Sequence, residues 1–296
     1  MKLFAISDIH VANRANFMAL EALPPHPRDW LILAGDAGEI DEHLKFALFI
    51  LTRRFKQVVW VPGNHDLWTL PAHPNRLRGD ARYRNQVSIC RNYGVLTPED
   101  PYAVFHGEDR DYLLVPMFLL YDYSFRPAHV PPEKAVDWAA ESGVLGTDEE
   151  LLHPDPFESI PDWCAYRCRY TEERLKKIPS GSSIVLINHF PLREEMAQLD
   201  RFPRFSIWCG TKRTENWHKQ FPVSVVVYGH MHMPGTLYRD GVRFEEVSLG
   251  YPRDWDQSKG LKRYLRQILP APPRVEGALE IDPYTVDRPP HEEILS

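Results

Sequence analysis

The 296-residue sequence predicts a layered α/β protein. Three observations point there. Short apolar runs alternate with amphipathic stretches of helical period, several of those runs stop abruptly at a glycine or a polar pair, and no repeat or composition break divides the chain. With 43% hydrophobic residues, a chain of this length can bury a substantial core without disulfides or a structural metal. Cys90, Cys164, Cys168 and Cys209 show no CxxC spacing and read as buried thiols, with Cys164 and Cys168 on one helix face.

In chain order, strands are expected over 2–7, 30–34 and 57–62, with helices over 14–23 and 39–55 between them. In the second helix Leu44, Ala47, Leu48 and Leu51 share one stripe, as packing against a sheet requires. A helix over 80–93 follows, then strands near 102–106 and 112–116. Prolines, glycines and aspartates crowd 127–161, which reads as an elaboration beside the sheet with a helix near 133–141. A longer helix is expected over 162–178, with Glu172, Glu173, Arg174, Lys176 and Lys177 as its wet face. Strong strand signals return at 183–187 and 223–228, and Arg239-Asp240-Gly241 marks a hairpin between 236–238 and 242–247. After Gly250 the sheet pattern fades, giving one domain over 1–270 and a proline-rich tail over 271–296.

Composition narrows the function. With 41 acidic against 35 basic residues, the formal charge of -6 makes nucleic acid an unlikely partner, since it offers no general attraction to phosphate backbones. The amino-terminal apolar run is too short for a secretory signal, and no run of 18 apolar residues occurs. A cytoplasmic protein with no membrane partner is expected.

The chemistry collects where the apolar runs stop. Asp8-Ile9-His10, Gly35-Asp36, Gly63-Asn64-His65-Asp66, Asn188-His189 and Gly229-His230-Met231-His232 each follow an expected strand. In open α/β sheets the carboxyl ends of strands share one crevice, so residues distant in sequence become neighbours there. Each phrase alone has an ordinary structural explanation: a helix cap at Asp8 or Asp66, an Asx-turn at Asn64, hydrogen-bonded histidines at His230 and His232. Together, Asp8, His10, Asp36, Asn64, His189, His230 and His232 exceed the needs of one tetrahedral zinc. They suffice for two ions if a carboxylate bridges, and Asp36 suits that place because its strand follows Asp8 by one crossover. Imidazole and carboxylate donors with a neutral amide favour Mn, Fe or Zn over an oxygen-only Mg or Ca site. His106 and His218 lie outside these phrases and are expected to have no metal role.

The ordered phrases DIH, GD, GNHD, NH and GHMH resemble those of the calcineurin-like metallophosphoesterases over about residues 1–250. The resemblance implies a β-sandwich of two mixed sheets flanked by helices, in place of a simple doubly wound sheet. It also implies a phosphoesterase with two metal ions. By that pattern Asp8, His10, Asp36 and His232 hold one ion, and Asp36, Asn64, His189 and His230 the other. Asp36 and His65 are then the catalytic pair, one bridging and one contacting the substrate phosphate or assisting the leaving group. The serine/threonine phosphatase branch fits less well, because Gly35-Asp36-Ala37-Gly38-Glu39 lacks the arginine of GDxVDRG.

The longer phrases VPMFLLYDYSF, NHFPL, FSIWCGT and DGVRFEEVSLGYPRDW resemble a bacterial phosphopantetheinyl-hydrolase branch of that family, out to about residue 270. This implies holo-acyl carrier protein as substrate and partner, cleaved at its phosphodiester. A phosphorylated small molecule, including linear or cyclic-nucleotide diesters, and a non-enzymatic scaffold on the same fold are the alternatives. Lys212 and Arg213, with Arg201 and Arg204 nearby, could meet a phosphate or an acidic carrier surface, or could simply be solvated. Tyr123, with Tyr121 and Phe125, could line the pocket or pack as core, and Arg253 is a further pocket residue.

Overall fold

The computed structural model describes residues 1–71 and 76–273. Its strands are β1 (Leu3–Ile6), β2 (His26–Leu33), β3 (Phe55–Trp60), β4 (Ala103–His106), β5 (Asp111–Pro116), β6 (Ile184–Ile187), β7 (Val223–Tyr228), β8 (Gly235–Arg239), β9 (Val242–Glu246) and β10 (Arg266–Leu269). Its helices are α1 (Arg14–Glu21), α2 (Asp41–Arg54), α3 (Asn64–Leu67), α4 (Gly79–Asn92), α5 (Ala135–Ala140), α6 (Asp148–Leu151), α7 (Ile160–Leu175) and α8 (Trp217–Gln220). One sheet runs β10-β1-β2-β3 and the other β4-β5-β6-β7-β9-β8. Central strands are parallel, while β10, β4 and β8 add antiparallel edges, so both sheets are mixed.

Side-chain alternation builds the sandwich. Leu3 and Ala5 of β1, Ile32 of β2 and Val59 of β3 join Leu114, Val185, Ile187, Val225 and Val227 of the second sheet in one buried layer. Their neighbours Ile6, Leu31, Leu33, Val58 and Trp60 belong to a second layer with Leu44, Ala47, Leu48 and Leu51 of α2. Strands covered on both faces need apolar residues at every position, which makes them continuous hydrophobic runs in the sequence.

The sheets meet at the carboxyl ends of their strands. Ser7 forms a parallel bridge with Ser248, its N–H donating to Val247 O at 3.0 Å and its carbonyl accepting from Leu249 N–H at 2.9 Å. This join places the end of β1 beside the end of β9, which is β7's parallel neighbour, the first condition for a shared site.

Several boundaries differ from the expectation. β2 starts at His26 rather than Trp30. α7 starts at Ile160, because the Ser159 hydroxyl accepts from Asp162 N–H at 3.2 Å and Pro161 fits the first turn. The fading of the sheet after Gly250 is corrected by β10, which pairs antiparallel with β1 through Leu3 and Leu269. β10 opens on Arg266 and Gln267, so Ile268 and Leu269 alone make no apolar run that would mark it. The expected tail over 271–296 lies outside the described residues from 274 onward. All four cysteines are buried, with the Cys164 and Cys168 sulfurs 4.0 Å apart.

Candidate metal centre

The strand-end residues leave their strands through tight turns. Asp8, His10, Asp36, His230 and His232 all adopt positive φ, at 53°, 35°, 55°, 73° and 52°. Each such conformation costs a non-glycine residue roughly 1–2 kcal/mol, and such strain gathers at functional sites. Backbone hydrogen bonds hold the turns together: Asp8 N–H to Gly35 O at 3.0 Å, and His10 N–H to Asp36 O at 3.1 Å. The buried Asp66 carboxylate accepts from the amides of Asp36 at 2.8 Å, Gly63 at 2.9 Å and Ala37 at 3.1 Å, locking two loops to each other. Burial pushes its carboxyl up to about 6. A methyl group on Gly63 would lie 2.0 Å from Asp36 Oδ1, so the approach of these loops requires glycine.

Three overlapping groups result, each with donor atoms within 4.8 Å of one another: Asp8, His10 and His232; His10, Asp36 and His65; Asp8, Asp36 and His189. His189 Nδ1 donates to Ala34 O at 2.9 Å, so the lone pair of Nε2 faces inward. It lies 3.2 Å from Asn64 Oδ1 and 3.4 Å from Asp36 Oδ2. Asn64 offers its oxygen there because its Nδ2 donates to Asp148 Oδ1 at 3.0 Å. Three lone-pair atoms thus converge, an arrangement that repels unless a proton or a cation sits among them. His10 Nε2 and His232 Nε2 face each other at 3.4 Å, and His232 Nε2 lies 3.2 Å from Asp8 Oδ1. His10 Nδ1 and His230 Nε2 are buried without a hydrogen-bond partner. Such orphaned nitrogens and opposed acceptors fit a pair of metal ions.

The electrostatics agree. Burial holds the imidazoles of His189, His230 and His10 below their usual range, aided for His230 by His189 and for His10 by His65. Burial also drives Asp36 well above the carboxylate range, and the negative charges of Asp8 and Asp66 add to it. Asp8 goes the other way: the histidines His189 and His232 outweigh the burial cost and hold it low. His232 is raised to about 9, because Asp254 and Asp8 outweigh its own burial. A buried site with this charge pattern is completed by cations.

Around this cluster stand residues that the sequence patterns did not single out. Asp254 Oδ2 lies 3.2 Å from His232 Nδ1, Ser248 Oγ donates to Asp8 Oδ2 at 2.7 Å, and Tyr251 stacks on His10 at 4.6 Å. His65 is held three ways: N–H to Asp36 Oδ1 at 2.9 Å, Nδ1 to Glu39 Oε1 at 3.3 Å, and its ring 3.7 Å from Trp68. Asp254 lies within GYPRDW, directly after Arg253.

The expected substrate contacts are more dispersed. Tyr123 sits at φ 59° and donates its hydroxyl to Glu149 Oε1 at 2.9 Å. Lys212 pairs with Glu194 at 3.0 Å, Arg213 with Asp122 at 3.3 Å and Arg204 with Glu141 at 3.0 Å, so the basic run is divided among separate carboxylates. Arg253 is exposed beside the Tyr251 ring. His106 pairs with Asp111 and His218 with Asp240.

A sandwich of two mixed sheets with carboxylates and imidazoles gathered at its strand ends is the architecture of a metal-dependent phosphoesterase. The calcineurin-like phosphoesterase family matches residues 1–234, and the chain belongs to that family. Within it, the chain is similar to a Mycobacterium tuberculosis protein, acyl-carrier-protein phosphodiesterase PptH, with 44% identity over 279 residues, 94% of this chain and 86% of that protein. The crystal structure of phosphopantetheinyl hydrolase (PptH) from Mycobacterium tuberculosis superposes with a TM-score of 0.88 at 44% identity, covering 93% of this chain and 98% of that one. Among the described residues, no helix is long and apolar enough to cross a membrane.

Proposed function

We propose that this chain is a phosphodiesterase that removes the 4'-phosphopantetheine arm from holo-acyl carrier protein by hydrolysing the phosphodiester that joins them. The observation that carries this is the 44% identity to an acyl-carrier-protein phosphodiesterase across 94% of the chain, far beyond the metal phrases. Asp8, His10, Asp36 and His232 would hold one ion, and Asp36, Asn64, His189 and His230 the other; the family resemblance favours Mn or Fe, and these donors also suit Zn. When bound, two such ions lower the pKa of a water and offset the charge of the phosphate.

The residues around them do the remaining work. Asp36, fixed by Asp66 through the loop amides and by its own bond from His65 N–H, presents its carboxylate to both halves of the site. His65, with Nδ1 engaged by Glu39 and its ring against Trp68, keeps Nε2 free to hydrogen-bond the phosphate and to assist the departing oxygen. Tyr123 and Arg253 would contact the substrate as it approaches. Lys212 and Arg213 exchange Glu194 and Asp122 for acidic groups of the carrier, which favours encounter more than affinity.

The test is incubation of the Mn-loaded protein with holo-carrier protein, followed by intact mass and small-product analysis. Apo-carrier and free 4'-phosphopantetheine should appear together, and Asp36→Asn should abolish both. Hydrolysis of a generic diester with the carrier left intact would reject the substrate assignment.

A further inference from the structure

The segment between β5 and β6 supports the metal cluster through more than the Asn64 amide. Asp148 opens α6 and is only 4% exposed. Its Oδ1 accepts both Asn64 Nδ2–H at 3.0 Å and Trp68 Nε1–H at 2.6 Å. Trp68 in turn lies against the His65 ring, with centroids 3.7 Å apart. The neighbouring Glu149 accepts from Tyr123 OH at 2.9 Å and Trp208 Nε1–H at 2.6 Å. Gly146 brings the backbone up to the Trp208 indole, where a methyl group would stand 2.6 Å from the ring.

We infer that Asp148 is a positioning residue of the metal centre: one carboxylate from α6 decides which end of the Asn64 amide faces the cluster and in which plane His65 lies. The two ends of an amide have nearly the same size, so shape alone does not choose between them. A carboxylate does choose, because an ionised Asp148 accepts only, and a reversed Asn64 would set oxygen against oxygen. Reversal would also point the amide N–H groups at the space between His189 and Asp36, where a cation needs an oxygen. Through Trp68 the same atom steadies the ring of His65. Adjacent residues of the GNH loop, one proposed to face the metal and one the substrate, therefore depend on a carboxylate 84 positions away from Asn64. Glu149 ties the same short helix to Tyr123, so α6 links the metal side and the expected substrate side of the site.

This inference rests on Asn64 serving as a ligand, and the experiment separates the two claims. Mn titration by calorimetry is run on the wild type, Asp148→Ala, and the double variant Asp148→Asn with Trp68→Phe, alongside denaturant unfolding of the metal-free proteins. The wild type should bind two ions; binding of none rejects the metal assignment itself. Asp148→Ala should keep one ion near wild-type affinity and bind the second about 10–100-fold more weakly, the usual scale for residues that orient a ligand. The double variant keeps a polar side chain of the same size at 148 and an aromatic ring at 68, and is the deciding one where alanine fails to fold. An amide at 148, with the Trp68 donor gone, can either donate or accept and no longer dictates Asn64. Its second ion should also bind at least about tenfold more weakly. A purely structural role would lower unfolding stability and leave both Mn affinities unchanged, and that result in a folded variant would overturn the inference.

Discussion

An imidazole gives a metal one nitrogen, and whatever touches its other nitrogen decides the tautomer, the ring plane and the basicity of the donor. His189 has Ala34 O behind it and His232 has Asp254. Asp254→Ala should leave the fold intact, since Asp254 sits in the loop after β9 rather than in either apolar layer. It should weaken one Mn affinity about 10–100-fold, and a single-ion loss in a calorimetric titration is the expected result. Unchanged binding of both ions would show that the Asp254 contact is incidental. The proposed ligands were legible because strand ends give them a fixed place after an apolar run. Their supports were not. Asp254, Glu39 and Asp148 are acids in loops or at a helix start, and nothing in the local sequence distinguishes them from solvated carboxylates until the fold brings an imidazole or an amide against them.

The elements that sequence patterns located well are those whose burial is continuous. β1, β6, β7 and the carboxyl-terminal halves of β2 and β3 are apolar, and α2 carries a clear stripe. β10 was missed because Arg266 and Gln267 leave it only two apolar residues, and α6 because Asp148-Glu149-Glu150-Leu151 resembles a wet turn. α7 shows a further pattern that periodicity hides: a buried charge on the face toward the core. Arg167, 1% exposed, donates through Nε to Phe118 O at 3.1 Å and pairs with Glu99 at 2.8 Å. Glu99 also accepts from Tyr83 OH of α4 at 2.6 Å and Tyr170 OH of α7 at 3.0 Å, so one carboxylate fastens two helices. Burial works to raise its pKa, but Arg167 and the two hydroxyls outweigh it and hold the group below its ordinary range. Glu99→Gln should therefore cost about 2 kcal/mol at pH 7, below the 3–5 kcal/mol of a fully buried broken pair because the amide keeps some hydrogen bonds. A carboxyl with a depressed native pKa contributes fully above its unfolded value and loses that contribution as pH falls through the native one. Urea midpoints of the wild type and Glu99→Gln should thus differ most near neutrality and converge as pH drops below about 4. A gap independent of pH would assign the loss to packing.

At the scale of the molecule, the two sheets are held by an apolar interior and, at one end, by the site. Asp8, Asp36 and Asn64 follow strands of the first sheet, whereas His189, His230 and His232 follow strands of the second. Ions bound between them would cross-link the sheets, and ions present at a hundred times their Kd would each add about 2.7 kcal/mol of stability. Without ions the same place is a weakness, because Asp36 is buried beside the charge of Asp8 and its pKa is driven far up by burial and that repulsion. A carboxyl with a raised native pKa stabilises fully only below its unfolded pKa, and that contribution is lost as pH rises toward the native value. Asp36→Asn removes the charge while keeping an oxygen that can accept His65 N–H. In chelator it should unfold at higher denaturant than the wild type, by on the order of 1–3 kcal/mol at pH 7, with the advantage shrinking toward about pH 4. Saturating Mn should reverse the ranking, because the variant lacks the proposed bridge and gains less from the ions. Denaturant unfolding with chelator and with Mn, at both pH values, reads all four comparisons. A wild type at least as stable as Asp36→Asn in chelator would mean that the apo-site relieves its charge in another way, and would remove the stability–function opposition argued from Asp36.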